Sequence, residues 1–148
     1  MFKPLLPPSY LLASLVAMIG LRVCLPVAMV LSWPWRVIGI VPVAFGIALN
    51  LAADRAFKLR ETTVRPFEVS TSLVTEGVFR FSRNPMYLGM LLILIGFALF
   101  LGALTPFAVC AVFALVMHYR FVRIEERMLS DRFGLEWQRY SARVRRWV

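Results

Sequence analysis

The sequence is poor in the residues from which metal centres and disulfides are built. It contains a single histidine, His118, and two cysteines, Cys24 and Cys110. Each cysteine falls inside an apolar run without CxxC or Cys/His spacing, so we expect two small buried thiols. A conventional zinc site needs several cysteine or histidine ligands. The sequence therefore predicts neither a metal site nor a disulfide.

The sequence also lacks internal repeats, and its first apolar run does not have the pattern expected of a cleavable signal peptide. Its first apolar run is longer than the hydrophobic region of a signal peptide. No small-x-small cleavage site followed by a soluble domain comes after it. We therefore predict that this run is a retained membrane helix.

What the sequence has in abundance is apolar residues in long runs. Of its 148 residues 60% are hydrophobic and the mean hydropathy is +0.75, whereas soluble domains have roughly 45–50% apolar residues. We predict an all-α membrane protein of one domain, residues 1–148, with four transmembrane helices arranged as two hairpins. Pro26 and Pro42 fall inside the first two spans, where membrane helices tolerate proline. The predicted spans are residues 10–31, 34–53, 85–101 and 105–119.

Charge predicts the orientation. Acidic residues are few, 8 against 17 Lys and Arg, and the net charge is +9. The basic residues precede the first span, lie between the second and third, and follow the fourth, whereas the opposite side has only Arg36. The positive-inside rule places both termini, the middle segment (54–84) and the C-terminal segment (120–148) in the cytoplasm, at the inner membrane if the chain is bacterial. This distribution favours anionic lipid headgroups, and not nucleic acid, as the partner of the basic residues.

Both cytoplasmic segments carry patterns of folded structure. The middle segment contains aromatic and β-branched residues that a linker would lack, so we expect it to pack over the helix ends. The C-terminal segment predicts an amphipathic helix in the plane of the interface, with rings inward and arginines toward headgroups. Gly134 is a candidate break or kink. The apolar residues of this predicted helix are Leu129, Phe133, Trp137, Tyr140, Val144 and Trp147.

The most polar cluster stands directly before the third span, in "RNPMY". Asn84 is a favoured N-cap residue and Pro85 a favoured first helical residue. The free N–H groups of this helix start, together with Arg83 and the Tyr87 hydroxyl, suit a carboxylate or phosphate. Gly89 lets another backbone or a flat ligand approach closely.

A pair of glutamates, Glu125 and Glu126, follows the fourth span. On a helix Arg123 and Glu126 are neighbours at i,i+3, and His118 and Glu125 share a face at i,i+7. A tight hairpin between spans three and four brings the glutamates back beside the "RN" cluster. Carboxylates next to a positive helix start suit a zwitterion such as S-adenosylmethionine, although solvated ion pairs with nearby arginines are the alternative.

These segments together resemble a known family. "GVFRFSRNPMYLG", a membrane hairpin and "EERMLSDRFGLEWQRYSARVRRW" resemble, in order over about residues 75–148, the isoprenylcysteine carboxyl methyltransferase family and the related phospholipid N-methyltransferases. The resemblance implies an S-adenosylmethionine-dependent membrane methyltransferase whose lipophilic acceptor enters from the bilayer. The cofactor would lie under a closing C-terminal segment.

The resemblance also implies roles for particular residues. The residues that match the family's motifs and would form the cofactor pocket are Arg83, Asn84, Pro85, Tyr87, Gly89, Glu125 and Glu126. His118 is added because it shares a face with Glu125, and either a glutamate or His118 could act as the base for an amine acceptor. Glu126, Arg123 and Arg120 would position the acceptor or act in catalysis. The isoprenylcysteine enzymes usually have histidine where this chain has Asn84, so the acceptor stays open between a prenylcysteine-type carboxylate, a phospholipid amine and a small thiol.

Two alternative functions stay open, and the methyltransferase interpretation does not explain one residue, Arg22. A sterol-reductase-type enzyme using NADPH shares a similar scaffold and a Pro-x-Tyr-x-Gly helix start. A small membrane scaffold without catalytic activity is the other alternative. Arg22 falls near the middle of the first span, where a charge is costly and often functional, and it would snorkel or face a cavity or a second subunit. The oligomeric state is open.

Overall fold

The computed structural model describes residues 6–25, 27–60 and 71–148. Within these ranges all regular secondary-structure elements are helices. The described residues contain no sheet, only an isolated bridge between Met29 and Ala103. Two 3-10 turns, Trp35–Gly39 and Gly77–Arg80, precede the second and third helices, and a π-helix, His118–Val122, joins the last two. The helices are α1 (Pro7–Cys24), α2 (Ile40–Leu59), α3 (Pro85–Leu101), α4 (Thr105–Met117) and α5 (Arg123–Arg143). The prediction of an all-α protein is confirmed.

Three of the described helical stretches are long and apolar enough to cross a membrane. They are Pro7–Cys24, Trp35–Leu59 and the 39-residue stretch Thr105–Arg143. The α3 helix has 17 residues, which at 1.5 Å per residue gives about 25 Å, somewhat less than the ~30 Å of a hydrocarbon core. The protein is a membrane protein built from these apolar helices.

The first predicted span, 10–31, is wrong in its last third because α1 ends at Cys24. Leu25 leaves the helical region with φ −137° and ψ 63°, as expected of a residue that precedes a proline. Pro26 itself lies outside the described residues. The chain from Ala28 then runs along the α3–α4 turn, where Val30 N–H donates to Gly102 O at 2.8 Å and Leu104 N–H donates to Ala28 O at 2.9 Å.

The end of α1 at Cys24 also changes two side-chain predictions. Arg22 lies in the last turn of α1, not mid-span, and its Nε donates to Leu101 O at the end of α3 (3.2 Å). Cys24, predicted to be buried, is exposed, whereas Cys110 is buried as expected. Arg22 is therefore tied to a helix end by a hydrogen bond.

The α3 helix lies at the centre of the packing. It contacts α2 on one side and α1 and α4 on the other, and α1 packs on α4. The predicted first hairpin is thus wrong in its packing: α1 and α2 pack on α3 rather than on each other. On the α1 and α4 side the core is made of side chains, among which Met18, Leu94 and Met117 are fully buried.

A glycine seam (Gly39, Gly46, Gly89 and Gly96) explains why α2 prefers α3. The seven-residue spacing on both helices places Gly46 opposite Gly89 and Gly39 opposite Gly96. A Cβ atom added to Gly46 would lie 2.5 Å from Gly89 O, and one added to Gly89 would lie 2.7 Å from Gly46 O. The two backbones therefore touch, which is how membrane helices gain dispersion energy when lipid is as apolar as their side chains.

Candidate functional site

The start of α3 is bound to the C-terminal end of the chain. Asn84 occupies the N-cap position, but the prediction that its side chain caps the helix is wrong. Its Nδ2 instead donates to Arg146 O at 3.1 Å, and its backbone N–H donates to Ser82 Oγ at 3.1 Å. Pro85 follows without an N–H to be capped. The amide of Asn84 therefore joins two distant parts of the chain.

The last residues leave α5 and fold over that helix start. Gly134, at φ 48° and ψ −115°, kinks α5 as predicted, and Val144 is extended with ψ 131°. Arg83 N–H donates to Arg145 O at 3.0 Å. A helix lying flat to Trp147 is thus incorrect: the tail segment (residues 144–148) packs alongside residues 82–84.

Glu126 lies beneath the tail segment and is buried, with 9% of its surface exposed. Arg146 donates to its carboxylate from Nε at 3.0 Å and from Nη2 at 2.7 Å. Arg83 Nη2 is 3.6 Å from Oε1. The pKa of Arg146 is raised by these hydrogen bonds, so the guanidinium stays charged. The predicted i,i+3 pair of Arg123 and Glu126 is replaced by two arginines that are remote in sequence.

Arg83 itself is held in an aromatic and hydrogen-bonded frame. Its guanidinium carbon lies 5.6 Å from the centroid of the Trp137 ring, a cation–π distance. Its Nε is buried and has no hydrogen-bond acceptor in the part of the chain that the structure describes. An orphaned charged donor of this kind is costly unless an acceptor reaches it.

Glu125 has a different environment from its neighbour. The Tyr87 hydroxyl donates to Oε1 of Glu125 at 2.6 Å, a length typical of an O–H donor to an ionised carboxylate. Burial raises the pKa of Glu125, the Tyr87 hydrogen bond partly offsets that rise, and the charge of Glu126 adds to it. Among the described residues Glu125 makes no ion pair. The carboxylate is therefore desolvated without a cation.

The other predicted residues, His118, Arg120 and Arg123, lie in the π-helix or directly after it. A π turn contains more residues than an α turn, so seven residues no longer make two turns and the expected shared face of His118 and Glu125 is offset. The His118 ring lies edge-on to Tyr119, with centroids 5.0 Å apart. Arg123 lies 5.7 Å over the Tyr119 ring, and both Arg120 and Arg123 are exposed.

Gly89 was predicted for the cofactor pocket, but the space beside it belongs to α2. A Cβ atom there would meet Gly46 O and the Asn50 side chain. Asn50 Nδ2 donates to Gly46 O within its own helix at 2.9 Å. Gly89 therefore serves helix packing, since α2 fills the space that a flat ligand would need.

Sequence reasoning missed the most important partner of Glu126. Nothing in the pattern distinguishes Arg146 from the other arginines of the C-terminal segment. The aromatic spacing did point to Trp137 and Tyr140, both of which are buried. What the spacing cannot give is that the rings face Arg83 and the turn before α3 in place of lipid.

We expect Tyr140→Phe to destabilise the protein by about 1–3 kcal/mol. The Tyr140 hydroxyl donates to Phe79 O at 2.8 Å, joining α5 to the 3-10 turn before α3. Burial raises the pKa of this phenol to about 12, with Arg83 opposing the rise and Glu126 adding to it, so it remains a donor in ordinary buffers. Unfolding in detergent measures the loss. Tyr119→Phe, at an exposed tyrosine, is the control, and equal stability of the two variants would contradict the role of the hydrogen bond.

Comparisons with known proteins identify the family of the chain. The model of the phospholipid methyltransferase family matches residues 35–136. The chain is also 40% identical over 63 residues to an uncharacterized protein of Haemophilus influenzae, an alignment that covers 43% of this chain and 100% of that protein. No solved structure matches the chain. With its apolar helices and a family match across α2, α3, α4 and the first part of α5, this membrane protein belongs to the phospholipid methyltransferase family.

Proposed function

We propose that the protein transfers a methyl group from S-adenosylmethionine to the amine of a membrane lipid, with Glu125 as the residue that receives the acceptor. The observation that carries the choice of acceptor is the half-buried Glu125 carboxylate, which accepts from a phenol and makes no ion pair with any of the described residues. The active site lies where the start of α3, the start of α5 and the tail segment meet.

The residues around Glu126 fit a zwitterionic cofactor. Arg83 Nε is an orphaned buried donor that a carboxylate would satisfy, and the Arg146 guanidinium adds a second cation. Glu126 offers acceptors for an ammonium or for ribose hydroxyls. S-adenosylmethionine supplies an electrophilic methyl group, and its transfer leaves S-adenosylhomocysteine.

The charges favour an amine over a carboxylate acceptor. Arg83 and Arg146 are engaged by Glu126 and, in this proposal, by the carboxylate of the cofactor, so neither is free to hold the carboxylate of an acceptor. Arg120, in the π-helix, and Arg123, directly after it, would orient a prenylcysteine-type carboxylate, but both side chains are exposed. Glu125 would repel a carboxylate and attract an ammonium.

Glu125 also has the properties of a proton acceptor. An alkylammonium ordinarily keeps its proton up to about pH 10 and cannot attack a methyl group while protonated. Glu125 removes the N–H proton, and the freed nitrogen lone pair forms the new N–CH₃ bond. Its raised pKa brings it closer to that of the amine, which assists the transfer. The Tyr87 hydroxyl holds the carboxylate in place.

The topology belongs to the same proposal. Four spans, including the short α3, place Glu125, Glu126 and the tail segment at the cytoplasmic interface together with both termini. The lipid acceptor then reaches Glu125 from the inner leaflet. The alternative functions are a reductase that uses NADPH and a scaffold without catalytic activity. The following test distinguishes both from a methyltransferase.

The test is a thermal-stability titration of the purified protein in detergent with S-adenosylhomocysteine and, separately, with NADPH. We expect that S-adenosylhomocysteine stabilises the protein and that NADPH does not. A ligand at 100 times its Kd adds about 2.7 kcal/mol to the free energy of unfolding. Glu126→Gln and Arg83→Ala should each abolish most of the shift. Arg80→Ala, at the exposed end of the preceding 3-10 turn, is the matched control for Arg83→Ala. Stabilisation by NADPH alone would move the protein to the reductases, and no response to either compound would contradict the proposal.

A methyl-transfer assay then compares acceptors. Phosphatidylethanolamine, an S-prenylcysteine and a small thiol are offered with S-adenosylmethionine labelled in its methyl group. We expect label in the aminophospholipid. Label in the prenylcysteine alone would overturn the role given to Glu125 while leaving the cofactor site intact.

A further inference from the structure

Two arginines meet at the end of the helices opposite the glutamates. Arg22, in the last turn of α1, donates from Nε to Leu101 O at 3.2 Å. Arg36, in the turn before α2, donates from Nε to Leu31 O at 3.0 Å. A Cβ atom added to Gly102 would lie 2.9 Å from the Arg36 guanidinium carbon. The two guanidinium groups therefore flank neighbouring residues at the end of α3.

This pair has no acidic counterpart. None of the 8 acidic residues of the chain lies in residues 1–53 or 77–124, the segments that form this end. Among the described residues neither arginine makes an ion pair. Both are partly buried, and a partly buried charge without a counter-ion is costly.

Helix dipoles do not supply the missing negative charge. Each helix end carries roughly half an elementary charge. The C-terminal ends of α1 and α3 meet here with the N-terminal ends of α2 and α4, so the four contributions cancel. Capping of α3 by arginine therefore accounts for the hydrogen bond of Arg22 but leaves close to two positive charges.

The surroundings of Arg36 are those of a membrane interface. Trp33 and Trp35 lie within the three residues that precede it, with 71% and 69% of their surfaces exposed. Tryptophan concentrates at the depth of lipid headgroups. A pair of arginines at that depth faces the layer in which phospholipid phosphates lie.

We propose that Arg22 and Arg36 bind the phosphate of one anionic phospholipid at this end of the protein. Arginine suits phosphate because its guanidinium offers several N–H donors in a planar fork. The lipid would also link α1 to the turn before α2, two elements that pack on α3 rather than on each other. The site is separate from the glutamates and does not depend on the proposed methyl transfer.

Native mass spectrometry tests the proposal by counting lipids that stay bound to protein released from mixed micelles. The wild-type chain is compared with the double variant Arg22→Gln/Arg36→Gln and with the charge-matched control Arg55→Gln/Arg139→Gln, whose arginines are exposed elsewhere. With phosphatidylglycerol we expect the first variant to lose one tightly bound lipid and the control to keep it. With phosphatidylcholine we expect no difference between the three proteins. Equal retention of phosphatidylglycerol by the two variants would overturn the proposal.

A wild-type experiment covers the case in which the double variant does not fold. Phosphatidylglycerol with a photoreactive headgroup is cross-linked to the intact protein, which is then digested with trypsin. We expect label in the peptide of residues 23–36, which the two arginines delimit. Absence of label there, or its removal by millimolar inorganic phosphate, would overturn a lipid site, the second result pointing to a site for free anions.

Discussion

Gly96→Ala is expected to destabilise the protein by at least the 1–3 kcal/mol typical of overpacking. The added Cβ would lie 2.7 Å from Val43 Cγ2, 2.9 Å from Val43 N and closer still to Gly39 O. A side chain can change rotamer, but a backbone carbonyl cannot, so relief requires α2 and α3 to separate along the glycine seam. We expect a lower unfolding midpoint in detergent, and Gly96→Leu should fail to give folded protein.

Gly20→Ala is the matched control for this prediction. Gly20 lies in α1, and nothing stands within 4 Å of its added Cβ. Alanine is favoured over glycine within a helix by about 1 kcal/mol, so this variant should be as stable as the wild type or more stable. Equal behaviour of the two alanine variants would mean that α2 and α3 are not in backbone contact.

Glu125→Gln is expected to lower the rate of methyl transfer by about 10²–10⁴-fold, the usual contribution of a general base. Glutamine retains the shape and can still accept from Tyr87, but it cannot take a proton from the ammonium. Affinity for S-adenosylhomocysteine should change little, whereas Glu126→Gln should show the opposite pattern. Glu136→Gln, at an exposed acid of α5, is the control.

The role of Glu125 also predicts the direction in which the rate of methyl transfer changes with pH. The ionised form of Glu125 is the active one, and burial raises its pKa, so the rate should fall as pH decreases through that raised value. In Glu125→Gln that limb should disappear, and the residual rate should rise only at higher pH with the fraction of free amine. An unchanged profile, or an equal loss of rate and of cofactor affinity, would contradict the role of Glu125.

Much of the fold follows from hydropathy because α3 and α4 are long apolar runs and α2 has no charged residue before Asp54. Hydropathy fails to predict a helix end where a single residue ends the helix within an apolar run. Leu25 is apolar and favours continuation of α1, but the proline that follows ends the helix. The packing of α2 on α3 depends on Gly39 and Gly46. Their importance is visible only once the two helices are known to run antiparallel, with the glycines of α3 facing them.

The candidate site divides in the same way. The meeting of Tyr87 with Glu125 follows from a hairpin and two motifs, and the structure brings the two side chains into a hydrogen bond. The assignment of Arg146 to Glu126 depends on a change of chain direction after Arg143 that no periodicity records. His118 does not lie on its expected face because the π-helix changes the number of residues per turn. The apolar pattern of the sequence gives no sign of this change.

The two sides of α3 differ in how much change they can absorb. Along α2 the contact is backbone against backbone, so almost any larger residue should be rejected. Along α1 and α4 it is made by side chains that include Met18, Met90 and Met117, whose unbranched thioethers repack readily. Libraries of variants should therefore randomise the methionine side and leave the glycines untouched, because tolerance to substitution is confined to one side of the central helix.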